Sequence, residues 1–271
     1  MSRPLILAGA GKMGGALLEG WIAKGLKPDA IIIVEPETTI RDAQQKRHGV
    51  NALATASAIA ADVRPDVIVL AVKPQVMDAV VGDYKRFAGA GTAFLSIAAG
   101  KTIRTFAETL GPTAAIVRAM PNTPAAVGRG ISVLCANRNV ADAQRRRCQE
   151  LMEAVGEVAW TENEDDMDAV TAVSGSGPAY VFLLAECLAE AGIDAGLAPA
   201  LAKRLARATV AGAGELLHRS PEPAEVLRKN VTSPGGTTAA ALEVLMSKEG
   251  LKPLLSKAVD AATRRSRALA G

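Results

Sequence analysis

The chain has 271 residues, with 31 Lys+Arg against 28 Asp+Glu, and its net charge of +3 is too balanced for a protein that binds nucleic acid by neutralising phosphates. It is 49% hydrophobic and 22% charged, which excludes disorder, and 3% aromatic, too few rings to stack single-stranded bases. Three widely spaced cysteines (Cys135, Cys148, Cys187) and two histidines (His48, His218) suggest neither a disulfide framework nor a metal cluster, so no metal is expected.

After Met1-Ser2-Arg3-Pro4, the apolar run 5–10 is shorter than a signal-peptide core and is broken by Gly9 and Gly11. No stretch reaches about 18 apolar residues free of charge, Gly or Pro, so a soluble cytoplasmic protein without a membrane span is expected. Six short runs rich in Val, Ile and Leu follow one another at 5–8, 30–34, 67–72, 93–97, 114–117 and 131–135. Continuous apolar runs suit strands buried on both faces of a parallel sheet. Between them helices are predicted at about 12–25, 38–48, 55–61, 75–88 and 101–109, an alternation that implies a doubly wound α/β sheet.

Beyond about residue 162 Ala and Leu recur at helical spacing. Helices are predicted near 163–173, 177–192, 198–218, 223–229, 237–247 and 250–269, with Pro178, Pro199, Pro223 and Pro253 in first turns. The chain therefore reads as a Rossmann-like domain, 1–162, followed by an all-helical domain, 163–271. The helix at 177–192 is apolar nearly all round, with Glu186 its only charge between 179 and 187. Such a helix must be covered on all sides. About 110 residues leave little to surround it, so it is expected to form a homodimer interface; a central helix in a monomeric bundle is the alternative.

Gly9-Ala10-Gly11-Lys12-Met13-Gly14 follows the first strand and opens the first helix. In that context G-x-G-x-x-G is a dinucleotide cradle. Gly9 permits the turn, Gly11 admits the pyrophosphate, Gly14 lets helix and strand approach, and the helix start at Lys12 and Met13 offers N–H groups to phosphate. Glu35 lies 21 residues after Gly14, where an acid bonds the ribose hydroxyls and repels a 2′-phosphate, while Arg41 can pair with one; NADH and NADPH both stay open. Lys73-Pro74 and Asn122 follow later strands at the crevice edge, where Lys73 can donate to the nicotinamide half and a plain rigid turn is the alternative at Asn122.

Two small-residue turns precede helices in the second part, Ser174-Gly175-Ser176-Gly177-Pro178 and Ser233-Pro234-Gly235-Gly236-Thr237-Thr238. Helix starts of this kind bind carboxylates, and ordinary N-caps are the alternative. Arg145-Arg146-Arg147 reads as a solvated helix face, and the acid run Glu162-Asn163-Glu164-Asp165-Asp166 as a helix N-terminus.

The glycine motif, Ala71-Val72-Lys73-Pro74, the segment 118–124, V-S-G-S-G-P-A-Y at 173–180 and S-P-G-G-T-T at 233–238, in that order, resemble pyrroline-5-carboxylate reductase over essentially the whole chain. The last two motifs are the specific ones. The resemblance implies NAD(P)H-dependent reduction of the cyclic imine 1-pyrroline-5-carboxylate to L-proline, the last step of proline biosynthesis, by a protein with a helical dimerisation domain whose dimers often assemble into larger rings. It also implies that Ser233, Gly235, Gly236 and Thr237 hold the substrate carboxylate, with Ser176 alongside, and that Thr238 bonds the ring nitrogen. Glu35 departs from the small or polar residue common at that position. The nucleotide crevice is expected to open onto the 233–238 bend, within one chain or across a subunit boundary.

One rival is another imine or carbonyl reductase, such as a β-hydroxyacid dehydrogenase. That class uses a lysine on the helix opening the second domain, and 174–190 contain none. A non-catalytic NAD(P)-binding protein is the other rival, and it has no need of a second anion-binding turn.

Overall fold

The computed structural model describes residues 3–89 and 91–270. Met1, Ser2, Ala90 and Gly271 lie outside the described residues, and with them the first two residues of the amino-terminal segment and the last of the expected helical domain. Among the described residues eight strands form one sheet: β1 (Leu5–Ala8), β2 (Ile31–Val34), β3 (Asn51–Leu53), β4 (Val67–Leu70), β5 (Ala93–Ser96), β6 (Ala115–Met120), β7 (Gly130–Ala136) and β8 (Gly156–Trp160), in the order β3-β2-β1-β4-β5-β6-β7-β8. All neighbours are parallel except β6 and β7, which run antiparallel with Arg118 opposite Cys135. The sheet is thus mixed rather than wholly parallel.

The strands are apolar on both faces because both are covered. Leu5, Leu7, Ile31 and Ile33 share a core with Leu17, Leu18 and Trp21 of α1 (Lys12–Ala23). Ile6, Ala8, Ile68 and Leu70 belong to a second core, on alternate strand positions. There they join Met77 and Val81 of α3 (Pro74–Val81) and Phe106 and Leu110 of α4 (Ile103–Leu110), α2 being Thr38–His48. The Trp21 indole donates to the buried Leu151 carbonyl at 2.8 Å, tying α1 to α5 (Asp142–Glu153).

Several local expectations are corrected. The helix expected at 55–61 is only a single 3-10 turn, Ala56–Ala58, because the Arg86 guanidinium takes the Ala56 and Ile59 carbonyls at 3.1 and 2.7 Å. The helix expected at 75–88 is α only to Val81 and tightens to 3-10 over Gly82–Phe87. Pro223 is an N-cap rather than a first-turn residue. Two strands, β3 and β8, and the extent of α5 were not expected.

Beyond α6 (Asp166–Val170) come a π-turn, Thr171–Gly175, and then α7 (Gly177–Asp194), α8 (Pro199–Arg219), α9 (Ala224–Asn230), α10 (Thr237–Leu245) and α11 (Leu251–Ala270). The chain divides into two compact units. One runs through Gly175 and takes in the chain again from Thr263; the other is Ser176–Ala262. Two acids keep 163–175 with the first unit. Glu164 accepts from Ile103 N–H at 2.8 Å and Arg118 Nη1 at 3.0 Å, and Asp168 accepts from Ser266 Oγ at 2.6 Å.

Within the second unit α7 and α8 pack together through small residues. Ala189, Ala202 and Ala206 are buried, and a Cβ on Gly192 would meet the Ala202 Cβ at 3.3 Å. The large apolar side chains of α7 face outward: Phe182 is 62% exposed, and Val181, Leu183, Leu184 and Leu188 are exposed too. The helical run Asp166–Asp194 is long and apolar enough to cross a membrane by length and composition. Gly175, Gly177, Pro178 and Glu186 lie within that run.

Candidate active site

The strand order reverses between β1 and β4, and loops leaving the carboxyl ends of strands at such a point form a ligand crevice. The glycine loop leaves β1 there, beside Ala71-Val72-Lys73-Pro74 leaving β4. Gly9 has φ +90°, and a Cβ on it would lie 2.9 Å from the Val72 nitrogen, so both conformation and space require glycine. A Cβ on Gly14 would run into the Gly9 carbonyl oxygen. At Gly11 a Cβ would meet nothing within 4 Å, yet this residue caps α1 at ordinary dihedrals, φ −64° and ψ −159°. Space without a protein neighbour at a helix start, with no acid in its first turn, is what a pyrophosphate needs. The loop therefore fits a dinucleotide, with Lys12 and Met13 opening α1 behind it.

At the end of β2 Glu35 turns inward. It is 7% exposed, its Oε2 accepts from Ala10 N–H at 2.8 Å, and its Oε1 accepts from Glu37 N–H at 3.0 Å. Arg41, read from sequence as able to pair with a 2′-phosphate, is engaged on the backbone instead. Its Nη1 donates to the Glu35 and Pro36 carbonyls at 3.1 and 3.2 Å and its Nη2 to Thr38 Oγ1 at 3.1 Å, strapping the turn into α2. A cavity of about 470 Å³ opens between α1 and α2, lined by Gly11, Lys12, Gly15, Thr39, Gln44 and Arg47. A larger one of about 650 Å³, with Arg3, Asp66, Asn139 and Arg146 on its walls, lies by the amino-terminal ends of β1 and β4, the wrong end of the sheet for a nucleotide.

Lys73 is exposed and caps α3, with Pro74 at its first position. Asn122, after β6, is committed at both ends of its amide. Oδ1 accepts from Ile131 N–H at 3.0 Å, and Nδ2 donates to the Ser174 Oγ and carbonyl at 3.3 and 3.4 Å. It therefore fastens the π-turn against the edge of the crevice, where a Cβ on Gly175 would collide with the Met120 methyl. The segment 174–178 is not the open helix start expected of it. Residues 171–175 are already helical, and Ser176 has α dihedrals, φ −86° and ψ −23°.

The 233–238 segment does form an open helix start. Gly235 has φ +68°, Gly236 caps α10, and Gly236 N–H donates to the Ser233 carbonyl at 3.1 Å. A Cβ on Gly236 would meet Ser233 Oγ, which would have to turn aside, and would lie 3.2 Å from the Ser233 carbonyl oxygen. Thr237 and Thr238 are the first two residues of α10, where amides have no intrahelical acceptor.

Three ion pairs escaped the sequence reading. Arg118 is 4% exposed on β6, and a buried guanidinium requires an acid; Glu164 supplies it at 3.0 Å. An arginine inside an apolar strand was the available signal, and the acid run at 162–166 held its partner. Arg145 stacks over the Trp160 ring at 4.0 Å and pairs with Glu162 at 2.7 Å, and Arg147 pairs with Asp66 at 3.1 Å, so neither is merely solvated. Burial pushes the Cys148 thiol up to about 12 and raises Cys135 as well, so neither is poised as a nucleophile. Among the described residues no group of three or more His, Cys, Asp or Glu is placed to hold a metal.

Comparison with known proteins places these features in context. Residues 164–269 match the family model for pyrroline-5-carboxylate reductase dimerisation, and residues 5–100 match that for NADP oxidoreductase, coenzyme F420-dependent. The chain is similar to the pyrroline-5-carboxylate reductase of Synechocystis sp., 43% identical over 270 residues covering 99% of each chain. Among solved structures it is similar to a pyrroline-5-carboxylate reductase from Coxiella burnetii, with a TM-score of 0.93 and 36% identity over 100% of both chains. The pyrroline carboxylate reductase of Plasmodium falciparum, solved with NADP bound, gives a TM-score of 0.82 and 33% identity, covering 100% of this chain and 99% of that one.

Proposed function

The chain belongs to the pyrroline-5-carboxylate reductase family, and on that premise we propose how its residues carry the reduction of 1-pyrroline-5-carboxylate to L-proline with NADPH or NADH. The observation that carries the reading is full-length similarity combined with a glycine loop whose only open Cβ position faces the phosphate approach. When bound, the reduced nicotinamide supplies the hydride.

Gly9, Gly11, Lys12, Met13 and Gly14 receive the pyrophosphate at the start of α1, Lys73, Pro74 and Asn122 complete the cofactor-binding set, and Glu35 lies behind the loop on the Ala10 amide. Ser233, Gly235, Gly236 and Thr237 hold the substrate carboxylate on the free amides of α10, with Ser176 as a further polar contact. Thr238 is the catalytic residue, its hydroxyl accepting from the iminium N–H and so orienting the ring. As the hydride adds to the imine carbon, the C=N electron pair moves to nitrogen and the positive charge is discharged. The residues that bind and orient thus supply position and electrostatics.

The domain expected at 163–271, whose separate compact part is Ser176–Ala262, serves dimerisation and substrate binding, with domain 1–162 holding the cofactor. The outward apolar side chains of α7 support its covering by a second copy of the chain, and dimers of this kind assemble further into rings. The enzyme works in the cytoplasm, with neither membrane nor nucleic acid as partner. A steady-state assay with pyrroline-5-carboxylate and each reduced cofactor tests the reading, with L-proline as the expected product. Turnover only with 2-methyl-3-oxo acids, or cofactor binding with no turnover, would refute it.

A further inference from the structure

Glu35 ends β2 with its carboxylate buried, and a buried carboxylate needs donors. One of its two donors is local, Glu37 N–H; the other is Ala10 N–H, from the middle of the glycine turn, 25 residues earlier. The carbonyl of the same Ala10 accepts from Gln44 Nε2 of α2 at 3.4 Å. Ala10 itself is 1% exposed. The two peptides that flank it are therefore each braced by a side chain of the β2–α2 segment, while Gly9 is pressed against the Ala71–Val72 backbone and Gly11 faces open space. Arg41 holds the Glu35 and Pro36 carbonyls and so fixes the turn from which the carboxylate points.

An acid that reads a ribose presents its oxygens outward. Here each oxygen is engaged inward, on a backbone amide. We propose that Glu35 is a positioning residue: it holds the glycine loop in its phosphate-receiving form and acts on NADH and NADPH alike instead of choosing between them. This rests on the reading of the loop as a dinucleotide cradle. Removing the acceptor leaves a buried Ala10 amide without a partner, and the loop relaxes at the expense of whichever cofactor binds. Glu35→Gln keeps the shape but points a donor at one of the two amides.

The test is a fluorescence titration of the purified full-length protein with NADH and NADPH separately, for wild type and Glu35→Gln, together with kcat at saturating cofactor and a thermal melt. The expected result is a Kd raised about tenfold for both cofactors, a charge-assisted bond's worth, with their ratio moved less than about threefold and kcat within about twofold of wild type. A shift of the ratio toward NADPH by about tenfold or more, or an unchanged Kd for both, overturns the proposal. Should Glu35→Gln fail to fold, Gln44→Ala removes the opposite brace, and weaker binding of both cofactors at an unchanged ratio is expected; a changed ratio or unaltered binding overturns it. If wild type binds neither cofactor, the cradle reading itself fails, an outcome separate from any behaviour of the variants.

Discussion

Gly11→Ala separates what the glycine loop does for folding from what it does for the cofactor. At this position φ is −64° and ψ −159°, open to any L-residue, and the added methyl finds no protein atom within 4 Å. Replacing glycine by alanine at compatible dihedrals stabilises by about 0.4–1 kcal/mol through the unfolded chain, while alanine is poorer than glycine at an N-cap by a comparable amount. The two offset, and the melting temperature should stay within about 3 °C of wild type. The same methyl stands where the pyrophosphate must approach the α1 amides. Displacing it forfeits one charge-assisted hydrogen bond or more, about 1.5–3 kcal/mol each, so a roughly 10–150-fold rise in Kd is expected for NADH and NADPH. Gly14→Ala is the contrast: its methyl strikes the Gly9 carbonyl oxygen, so it should lose stability as well as binding. Fluorescence titration and thermal unfolding measure the two quantities. Wild-type affinity in Gly11→Ala, or instability equal to that of Gly14→Ala, would refute the reasoning.

Other expectations follow from the same geometry. Thr238→Val keeps the volume at the start of α10 but loses a hydrogen bond to a charged nitrogen, so kcat/KM should fall about 10–150-fold with an unchanged melt; full activity would remove this role. Phe182→Glu places a charge on the apolar face of α7 and should shift the protein to monomer on size-exclusion chromatography, whereas an unaltered elution volume would exclude that face from the interface. Burial, and secondarily Arg47 against an opposing Glu19, lowers the pKa of His48 below 6.5, and its Nε2 has no partner. The unfolded chain therefore takes up the proton first. Above pH 6.5 the residue contributes nothing; below it stability declines, and the decline levels off under the folded-state pKa. His48→Gln should flatten the fall in melting temperature between about pH 7 and 5, and parallel slopes for the two proteins would count against the assignment.

Of the six strands found from sequence, β1, β2, β4 and β5 are buried at every position and β6 at all but its last, because burial on both faces leaves a continuous apolar signature; β7 has an apolar run although Ile131 and Val133 are only partly buried. The two strands that sequence missed are at the sheet's edges. Asn51–Leu53 is three residues long, and Gly156–Trp160 alternates exposure along its length. Nothing local states that β7 runs against β6, since direction is set by the chain's return path. The glycine loop and the 233–238 bend were legible because glycine there answers a steric demand. The roles of Asn122 and Glu35 were not, since a side chain's partner depends on which backbone amide the fold brings to it. Residue 174 shows the same limit: small residues signal a turn equally well whether the helix beside them begins there or runs through.

The outward face of α7 has a consequence for how the enzyme is handled. With this face covered by a second copy, as proposed, a protomer that exposes Val181, Phe182, Leu183, Leu184 and Leu188 together leaves its apolar surface unburied when alone, and its stability then follows mass action. Specific activity should then decline on dilution, and the melting temperature should climb with enzyme concentration. Inactivation at nanomolar levels would be reversed by adding back protein rather than cofactor.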